Sequence, residues 1–410
     1  MKKYLGVALG ILTAIGGFVD IGDLVTNAAV GARFGLSLAW VVVVGVGGIV
    51  VFAEMSGRVV AVSGRPTFDI VRERLGPRIG LVNLFGSIAV TLLTFVAEIG
   101  GVALALELAT SVYELLWVPV VAAVLWIVLW KVKFSLIENV FGLLGLALVV
   151  FAVALWQLGP DWSQLWHQAA GAQKPHAEEW SSYAYFAVAL FGAAMTPYEV
   201  FFFSSGGVEE HWDTSSIPIM RANVFIGFPL GGLLSLSIAG VATVTLLPAG
   251  IDVQTLGQVG LPIAIALGKL GLVVAILGFF AATFGAACET GLSVGYSISQ
   301  YFGWQWGKYV SPQQAARFHL VVLVSTVLAV VVLLTTIDPV LVTELSVVFS
   351  ALALPLTYLP ILMVANDPGY MGEHRNRWFS NALGTLYLVL VLIASLAAVP
   401  LMIWTKMGAT

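Results

Sequence analysis

The stretch Gly16-Gly17-Phe18-Val19-Asp20-Ile21-Gly22-Asp23-Leu24 decides the fold of this chain, because it places two carboxylates inside an apolar run. Residues 5–31 around it are long enough to cross a bilayer, which takes roughly 20 apolar residues. Glycine lowers helix propensity, and a charge near the bilayer centre is costly. The stretch therefore predicts a transmembrane helix that is interrupted near Asp20 and Asp23.

A second stretch in the middle of the chain repeats this arrangement: Phe191-Gly192-Ala193-Ala194-Met195-Thr196-Pro197-Tyr198-Glu199-Val200. Pro197 cannot donate a backbone hydrogen bond and clashes with the preceding helical turn. Glu199 follows Thr196 by the same spacing that separates Asp23 from Asp20. We expect a second broken helix here, at a position equivalent to the first.

The composition excludes an ordinary soluble protein. Hydrophobic residues make up 60% of the 410 residues and charged residues only 10%, whereas soluble domains carry roughly 25% charged residues. The net charge of -4 does not indicate a nucleic-acid partner, and the single cysteine excludes an intrachain disulfide. We expect an all-α integral membrane protein that contacts the lipid bilayer, with no nucleic-acid partner and no obligate protein partner.

Apolar segments long enough to span the membrane predict about 11 transmembrane helices in a single transmembrane domain, residues 1–410. The expected spans are 5–31, 36–62, 79–112, 116–132, 137–157, 181–207, 221–247, 261–299, 314–336, 339–364 and 379–404.

The basic residues predict the orientation. With a cytoplasmic N-terminus, fourteen of the 18 Lys and Arg residues fall on the inner side, and only Arg33, Lys174, Lys269 and Lys406 on the outer side. This bias follows the positive-inside rule. We expect a multi-pass protein of the cell membrane with an extracellular C-terminus.

The outer loop near 158–180 is rich in tryptophan, which is typical of an aromatic belt at the headgroup level. His167 and His176 in this loop could bind a metal, but they lack the defined spacing of a metal site.

Equivalent breaks in the first and sixth spans predict two inverted five-helix repeats, about 5–157 and 181–364, plus an additional helix at about 379–404. In such repeats, broken helices mark a substrate site near the bilayer midplane. A weaker similarity links the third and eighth spans, where Glu98 and Glu289 each lie among small residues.

The two predicted helix breaks bring acidic side chains together, and the stretches that form them contain no basic residue. Asp20, Asp23 and Glu199, with free backbone carbonyls near Gly17 and Ala193, would hold a hard cation through oxygen ligands. Two other interpretations stay open: the acids pair with a structural cation, or an amino-acid substrate binds to the exposed amides.

Segments 11–80 and 181–207 resemble the NRAMP divalent-metal transporters, whose first helix carries Asp-Pro-Gly-Asn and whose sixth carries Met-Pro-His. The first motif stands here as Asp20-Ile21-Gly22-Asp23, and the second as Thr196-Pro197-Tyr198. The resemblance extends to Thr26-Asn27-Ala28-Ala29 and to the stretch from Gly64-Arg65 to Arg72-Glu73-Arg74. It implies a LeuT-like (APC) fold and a metal substrate.

The departures from the family pattern make the site harder and more negative. Thr196 replaces a methionine that supplies a soft ligand, Asp23 replaces an asparagine, Tyr198 replaces a histidine, and Glu199 adds an acid. These changes resemble the NRAMP-related magnesium transporters (NRMT), which implies transport of Mg²⁺ and also Mn²⁺ with the ion largely hydrated. Metal contacts are then expected from Asp20, Asp23, Thr196, Glu199, Gly17 and Ala193, with Tyr198 and Glu98 behind them or along the permeation path.

Proton coupling is not expected, because a relay needs titratable groups in sequence. In the acidic pair of the family's third helix, Glu98 matches the second member, but Phe95 stands at the first. The basic residue expected late in the sixth helix falls near Glu209 or Glu210, and a glutamine in the tenth helix is Ala353.

These features predict a secondary transporter that works by alternating access, has no resident cofactor and is not an enzyme. Alternatives are a proton-coupled Mn²⁺/Fe²⁺ transporter, an ion-coupled carrier of a small solute on the same fold, and an ion channel. The roles of Glu54, Glu289 and Glu344 stay open.

Overall fold

The computed structural model describes residues 18–132, 134–171 and 178–408 of the chain. The expected ligand Gly17, the start of the first span, and His176 lie outside this part. All regular secondary structure in the described residues is helical, which confirms the predicted all-α fold.

Seventeen α-helices follow one another, connected by short 3-10 or π turns and loops. They are α1 (Ile21–Phe34), α2 (Ala39–Ser63), α3 (Thr67–Leu75), α4 (Pro77–Thr110), α5 (Glu114–Lys131), α6 (Phe134–Gly145), α7 (Val150–Gln157), α8 (Trp162–Gly171), α9 (Trp180–Ala194), α10 (Pro197–Glu209), α11 (Ile217–Ala222), α12 (Phe228–Ala249), α13 (Leu256–Phe302), α14 (Ala316–Leu334), α15 (Pro339–Ala365), α16 (Pro368–Met371) and α17 (Trp378–Trp404).

Ten helical segments among the described residues are long and apolar enough to cross a membrane. The sequence predicts eleven spans, and the difference arises at the first two. A 3-10 turn, Gly35–Leu38, joins α1 to α2, so that Ile21–Ser63 forms one continuous segment. Gly35 adopts a positive φ of 61° at the start of this turn, a conformation that glycine tolerates at low cost.

The eighth predicted span, 261–299, is part of the longer helix α13. A non-helical residue, Gly268 with φ 66° and ψ -159°, divides α13 into a short first part and a long second part. The second part packs on α4 near Glu98, where a Cβ on Gly101 of α4 would lie 2.9 Å from Thr283.

Both predicted helix breaks are present. Helix α1 begins at Ile21 after the non-helical residues Val19 and Asp20. Helix α9 ends at Ala194, and α10 begins at Pro197.

Glycines allow the helices around the breaks to approach closely. A Cβ on Gly101 of α4 would lie 2.9 Å from Thr283 of α13 and would collide with Ile21 of α1. A Cβ on Gly100 would lie 2.6 Å from Pro339. These two glycines therefore serve helix packing, which places the start of α1 against α4 and α13.

Basic residues form contacts between distant segments of the chain at two places in the described structure. Arg58 and Arg221, both expected on the inner side, bind Glu54 together. Arg33, expected on the outer side, donates to the carbonyl of Gly408 near the C-terminus. Which end faces the cytoplasm stays a prediction.

The tryptophans of the predicted aromatic belt project outward. They are exposed at 56–79% and comprise Trp156, Trp162, Trp166 and Trp180. Their exposure fits side chains that lie in lipid headgroups.

Candidate metal site at the two helix breaks

The side chain of Asp20 caps the N-terminus of helix α1. The residue is extended, with φ -100° and ψ -175°, and its Oδ1 accepts a hydrogen bond from the Asp23 amide at 2.9 Å. An N-cap aspartate satisfies one of the amides that the first helical turn leaves free. The break in the first span therefore follows from Asp20 itself, which replaces the carbonyl that a continuous helix would supply.

The second oxygen of Asp20 connects the two breaks. The hydroxyl of Tyr198, in the first turn of α10, donates to Asp20 Oδ2 at 3.2 Å. Asp20 and Tyr198 are both buried. Tyr198 was expected behind the ligands or along the path, and the structure places its hydroxyl directly on a predicted ligand.

At the second break, Met195 and Thr196 leave the helical conformation, with ψ 45° and 132°, before Pro197 starts α10. Thr196 lies beside the carboxylate of Glu199, one turn into the new helix. The carbonyls of the last turn of α9, including that of Ala193, lack intrahelical partners by the geometry of a helix end. This break thus supplies hydroxyl, carboxylate and carbonyl oxygens.

Asp23 is turned toward a different neighbour. Its Oδ1 accepts from Asn27 Nδ2 at 3.1 Å and from the hydroxyl of Ser235 on α12 at 3.5 Å. Its Oδ2 is buried and has no hydrogen-bond partner. Asp23 therefore presents one free oxygen while its other oxygen is held between α1 and α12.

Glu98 reaches the first break from helix α4. Its Oε1 accepts from the amide of Ile21 at 3.2 Å, and its Oε2 is unpartnered in a fully buried side chain. Glu98 thus lies next to Asp20 rather than in a separate pathway. The sequence assigned it only a possible role along the path.

No basic side chain neutralises these acids in the described part of the chain, where every ion pair lies elsewhere. The interpretation in which they pair with a structural cation from the protein therefore has no support there. Glu199, like Asp23 and Glu98, has one buried oxygen without a partner, Oε2. Such orphaned carboxylate oxygens are costly to bury.

The helix termini offset only part of that cost. Asp23 and Glu199 lie in first turns, where the helix dipole stabilises an anion by about 0.3–1 kcal/mol, up to ~2 kcal/mol when partly buried. Burial of an unpaired charge costs several kcal/mol. The acids are therefore not explained by helix stabilisation alone, and an exchangeable cation would supply the missing charge.

The described residues contain no group of three His, Cys, Asp or Glu side chains placed to ligate one ion. The acids that the sequence assigned to one site therefore share a region rather than one complete coordination shell. Water, hydroxyl and carbonyl oxygens would have to complete the shell, which suits an ion that retains part of its hydration.

The side-chain sulfur of Met195 points away from the acids at the two helix breaks. Met195 is fully buried and packs on α2, where a Cβ at Gly48 would lie 2.5 Å from its Sδ. Its carbonyl accepts from the hydroxyl of Tyr358 on α15 at 3.0 Å. Met195 therefore has a packing role, and Tyr358 supports the break through a contact that no local sequence pattern indicates.

Two glutamates outside the breaks have structural partners. Glu54 binds Arg58 and Arg221. Glu209, near the position where the family pattern has a basic residue, accepts from the amide of Lys308 and from the hydroxyl of Tyr296. Both are explained by contacts within the protein.

Comparisons with known proteins agree on the family. The family model described as "Natural resistance-associated macrophage protein-like", or Nramp, matches residues 10–400. The divalent metal cation transporter MntH of Deinococcus radiodurans is 26% identical over 391 residues, covering 92% of this chain and 85% of the relative. MntH of Aeromonas hydrophila is 24% identical and covers 95% of both chains. These relatives are transporters, which confirms the prediction that the chain is not an enzyme.

Solved structures show the same fold. A manganese transporter of Eremococcus coleocola superposes with a TM-score of 0.68 at 19% identity, covering 98% of this chain and 94% of that one. The nucleobase-cation-symport-1 family transporter MHP1 gives 0.62 at 16% identity, covering 97% and 92%. The predicted LeuT-like architecture is thus confirmed. With a family model that spans nearly its whole length and broken helices where the pattern requires them, the chain belongs to the Nramp family.

Proposed function

We propose that this protein is a secondary transporter of divalent metal cations, with Mg²⁺ as the preferred ion and Mn²⁺ as a second substrate. The observation that carries the proposal is the set of buried, unpaired carboxylate oxygens at the two breaks, on Asp23, Glu98 and Glu199. Intramembrane acids that lack a basic partner typically mark an ion pathway. The relatives whose names specify divalent metal cations support the same class of substrate.

The preference for Mg²⁺ rests on the chemistry of the donors. Thr196 offers a hydroxyl where the family motif has a thioether, and Met195 directs its sulfur into the packing against α2. Oxygen donors alone do not favour soft over hard ions. Because Mg²⁺ loses its water reluctantly, a small side chain such as Thr196 leaves the space that a hydrated ion needs.

The ion would move by alternating access in the cell membrane, with a cytoplasmic N-terminus and an extracellular C-terminus. The two breaks lie on separate elements that are joined by the hydrogen bond from Tyr198 to Asp20. Transport would run down the electrochemical gradient without proton coupling. Phe95 supports this, since it is fully buried and packs on Gly291 of α13, with no titratable group at that position.

Purified protein in liposomes that contain a magnesium-sensitive dye provides the test. We expect Mg²⁺ influx in the wild type and its loss in Asp20→Ala, which removes the acid shared by both breaks. An absence of flux for every divalent ion tried would overturn the proposal. The control variant Glu373→Gln changes an exposed acid away from the breaks and should leave influx intact.

The ion preference has its own test. Thr196→Met restores a soft donor, so we expect Mn²⁺ and Cd²⁺ to compete more strongly with Mg²⁺ in this variant than in the wild type. Unchanged competition would show that Thr196 does not contact the ion.

A proton-coupled Mn²⁺ transporter is the second candidate, and the fully buried Glu98 beside Asp20 favours it. A pH dye inside the liposomes distinguishes the two functions. Acidification of the lumen during metal uptake would establish coupling, and a constant pH would establish uncoupled transport.

A further inference from the structure

Asn27 is a fully buried residue on helix α1, one helical turn after Asp23. Its Nδ2 donates to the backbone carbonyl of Asp23 at 2.9 Å and to the carboxylate Oδ1 of the same residue at 3.1 Å. A side-chain amide has two N–H donors, so Asn27 uses both of them on Asp23. The side chain of Asn27 therefore acts on one acid of the proposed transport site and on no other residue through these donors.

Ser235 adds a further donor to Asp23 from helix α12. Its side chain is fully buried, and its hydroxyl donates to the same Oδ1 at 3.5 Å. Helices α1 and α12 lie in direct contact beyond this point, since a Cβ on Gly31 would lie 2.2 Å from the carbonyl oxygen of Ala239. This close approach of the two backbones holds Ser235 in place beside Asp23.

The two acids of the first break are held differently. Asp20 has a partner on each oxygen, the amide of Asp23 on Oδ1 and the hydroxyl of Tyr198 on Oδ2. Asp23 receives side-chain donors on Oδ1 alone, and its buried Oδ2 has no partner among the described residues. Holding one oxygen of a planar carboxylate also sets the direction of the other. Asn27 and Ser235 thus determine where the free oxygen of Asp23 points.

The amide oxygen of Asn27 is itself left without a donor. This Oδ1 is buried and has no hydrogen-bond partner in the described part of the chain. An unpaired buried acceptor is costly, and an apolar side chain of similar size would avoid that cost. Helix packing alone therefore does not explain an asparagine at this position, whereas support of the Asp23 carboxylate does.

We propose that Asn27 and Ser235 are positioning residues for the transported cation, which hold Asp23 so that its free oxygen contacts the ion or the water bound to it. This inference rests on the proposed transport function and adds to it the residues that orient one ligand. Replacing a group that hydrogen-bonds to a metal ligand typically lowers metal affinity by about 10–100-fold. Asn27, with two hydrogen bonds to Asp23, should matter more than Ser235, with one longer hydrogen bond.

Equilibrium binding of Mn²⁺ to purified full-length protein tests this proposal. We expect Asn27→Ala to weaken binding by about tenfold or more, and Ser235→Ala to weaken it by a smaller factor. Two matched controls should bind Mn²⁺ as the wild type does. Asn83→Ala removes a buried amide that donates to the carbonyl of Leu356, and Ser237→Ala removes a hydroxyl two residues after Ser235 on the same helix.

Unfolding of the metal-free proteins separates support of Asp23 from a general loss of structure. Asn27→Ala and Asn83→Ala should both unfold more easily than the wild type, but only Asn27→Ala should also lose metal affinity. Ser235→Ala, a milder change on another helix, provides the same comparison if Asn27→Ala does not fold. Wild-type affinity in a folded Asn27→Ala or Ser235→Ala protein would overturn the role of that residue, and an equal loss in the controls would overturn both roles. Either result would leave the proposed transport intact, whereas an absence of Mn²⁺ binding in the wild type would contradict the proposed function itself.

Discussion

Two groups of buried acids in this protein differ in their partners. Glu54 receives hydrogen bonds on both oxygens from Arg58, at 3.0 and 3.1 Å, and on Oε1 from Arg221, at 2.8 Å. Glu98 and Glu199 are at least as buried as Glu54, yet each keeps an oxygen without any partner. The chain thus provides arginines where a buried charge joins helices permanently. Among the described residues, none of the ion pairs involves the acids at the breaks, where a transported cation would have to arrive and leave.

The largest expected effect on stability comes from replacing Glu54, the acid that is paired with arginines. Glu54→Gln leaves the guanidinium of Arg58 buried without its counter-charge, and breaking a buried ion pair on one side costs about 3–5 kcal/mol. We expect the free energy of unfolding to fall by about this amount, measured by SDS titration in mixed micelles.

The exposed Glu373 near the same end of the bundle provides the control. Glu373→Gln should change the free energy of unfolding by less than about 0.5 kcal/mol, as expected for a surface substitution. Equal effects in the two variants would show that the ion pairs of Glu54 contribute little.

The same Glu-to-Gln substitution at a helix break should have the opposite effect on the free energy of unfolding. In metal-free protein, Glu199→Gln removes a buried carboxylate that has no cationic partner, so we expect stability to rise by about 1–3 kcal/mol. Added Mg²⁺ should then stabilise the wild type, by ~2.7 kcal/mol at a hundredfold excess over its dissociation constant, and should stabilise the variant less. Thermal unfolding with and without Mg²⁺ measures both effects.

A destabilised Glu199→Gln protein that still responds fully to Mg²⁺ would remove the distinction between the two groups. Glu199 would then be a structural acid like Glu54.

A smaller effect on stability is expected from the titration of a buried lysine outside the membrane spans. Lys308 donates through Nζ to the carbonyls of Val128 and Leu129 at the end of α5. Burial lowers its pKa from 10.5 to about 8. The folded protein therefore releases this proton near pH 8, whereas the unfolded chain keeps it until about pH 10.5.

Because the unfolded state binds more protons in this window, stability should rise between about pH 8 and 10.5. The variant Lys308→Met lacks this titration, so its stability should lack the rise. Thermal unfolding of both proteins across the window measures the difference, and parallel curves would contradict the assignment of Lys308.

The helices and their breaks could be predicted because their causes are local. Long apolar runs have few alternatives to transmembrane helices, and the acids with Gly22 and Pro197 interrupt them at defined positions. The positions of Asp20 and Glu199 at helix starts followed from the same patterns. These features depend only on residues within one or two turns.

The partners of the acids could not be predicted, because they depend on register between distant helices. Arg221 binds Glu54 from 167 residues away, and Glu98 reaches Ile21 across 77 residues. The contact of the Ser293 hydroxyl on α13 with the carbonyl of Tyr198 on α10 joins residues 95 positions apart and depends on the same kind of register.

The cap that Asp20 forms on α1 has a consequence for hydrogen exchange. The oxygen that accepts from the Asp23 amide belongs to the same carboxylate that would face an ion. A cation that draws this oxygen away releases the amide, and an N-cap contributes about 1 kcal/mol, which corresponds to roughly a fivefold change in local opening. The exchange rate of the Asp23 amide would therefore report whether the site is occupied, without any transport measurement.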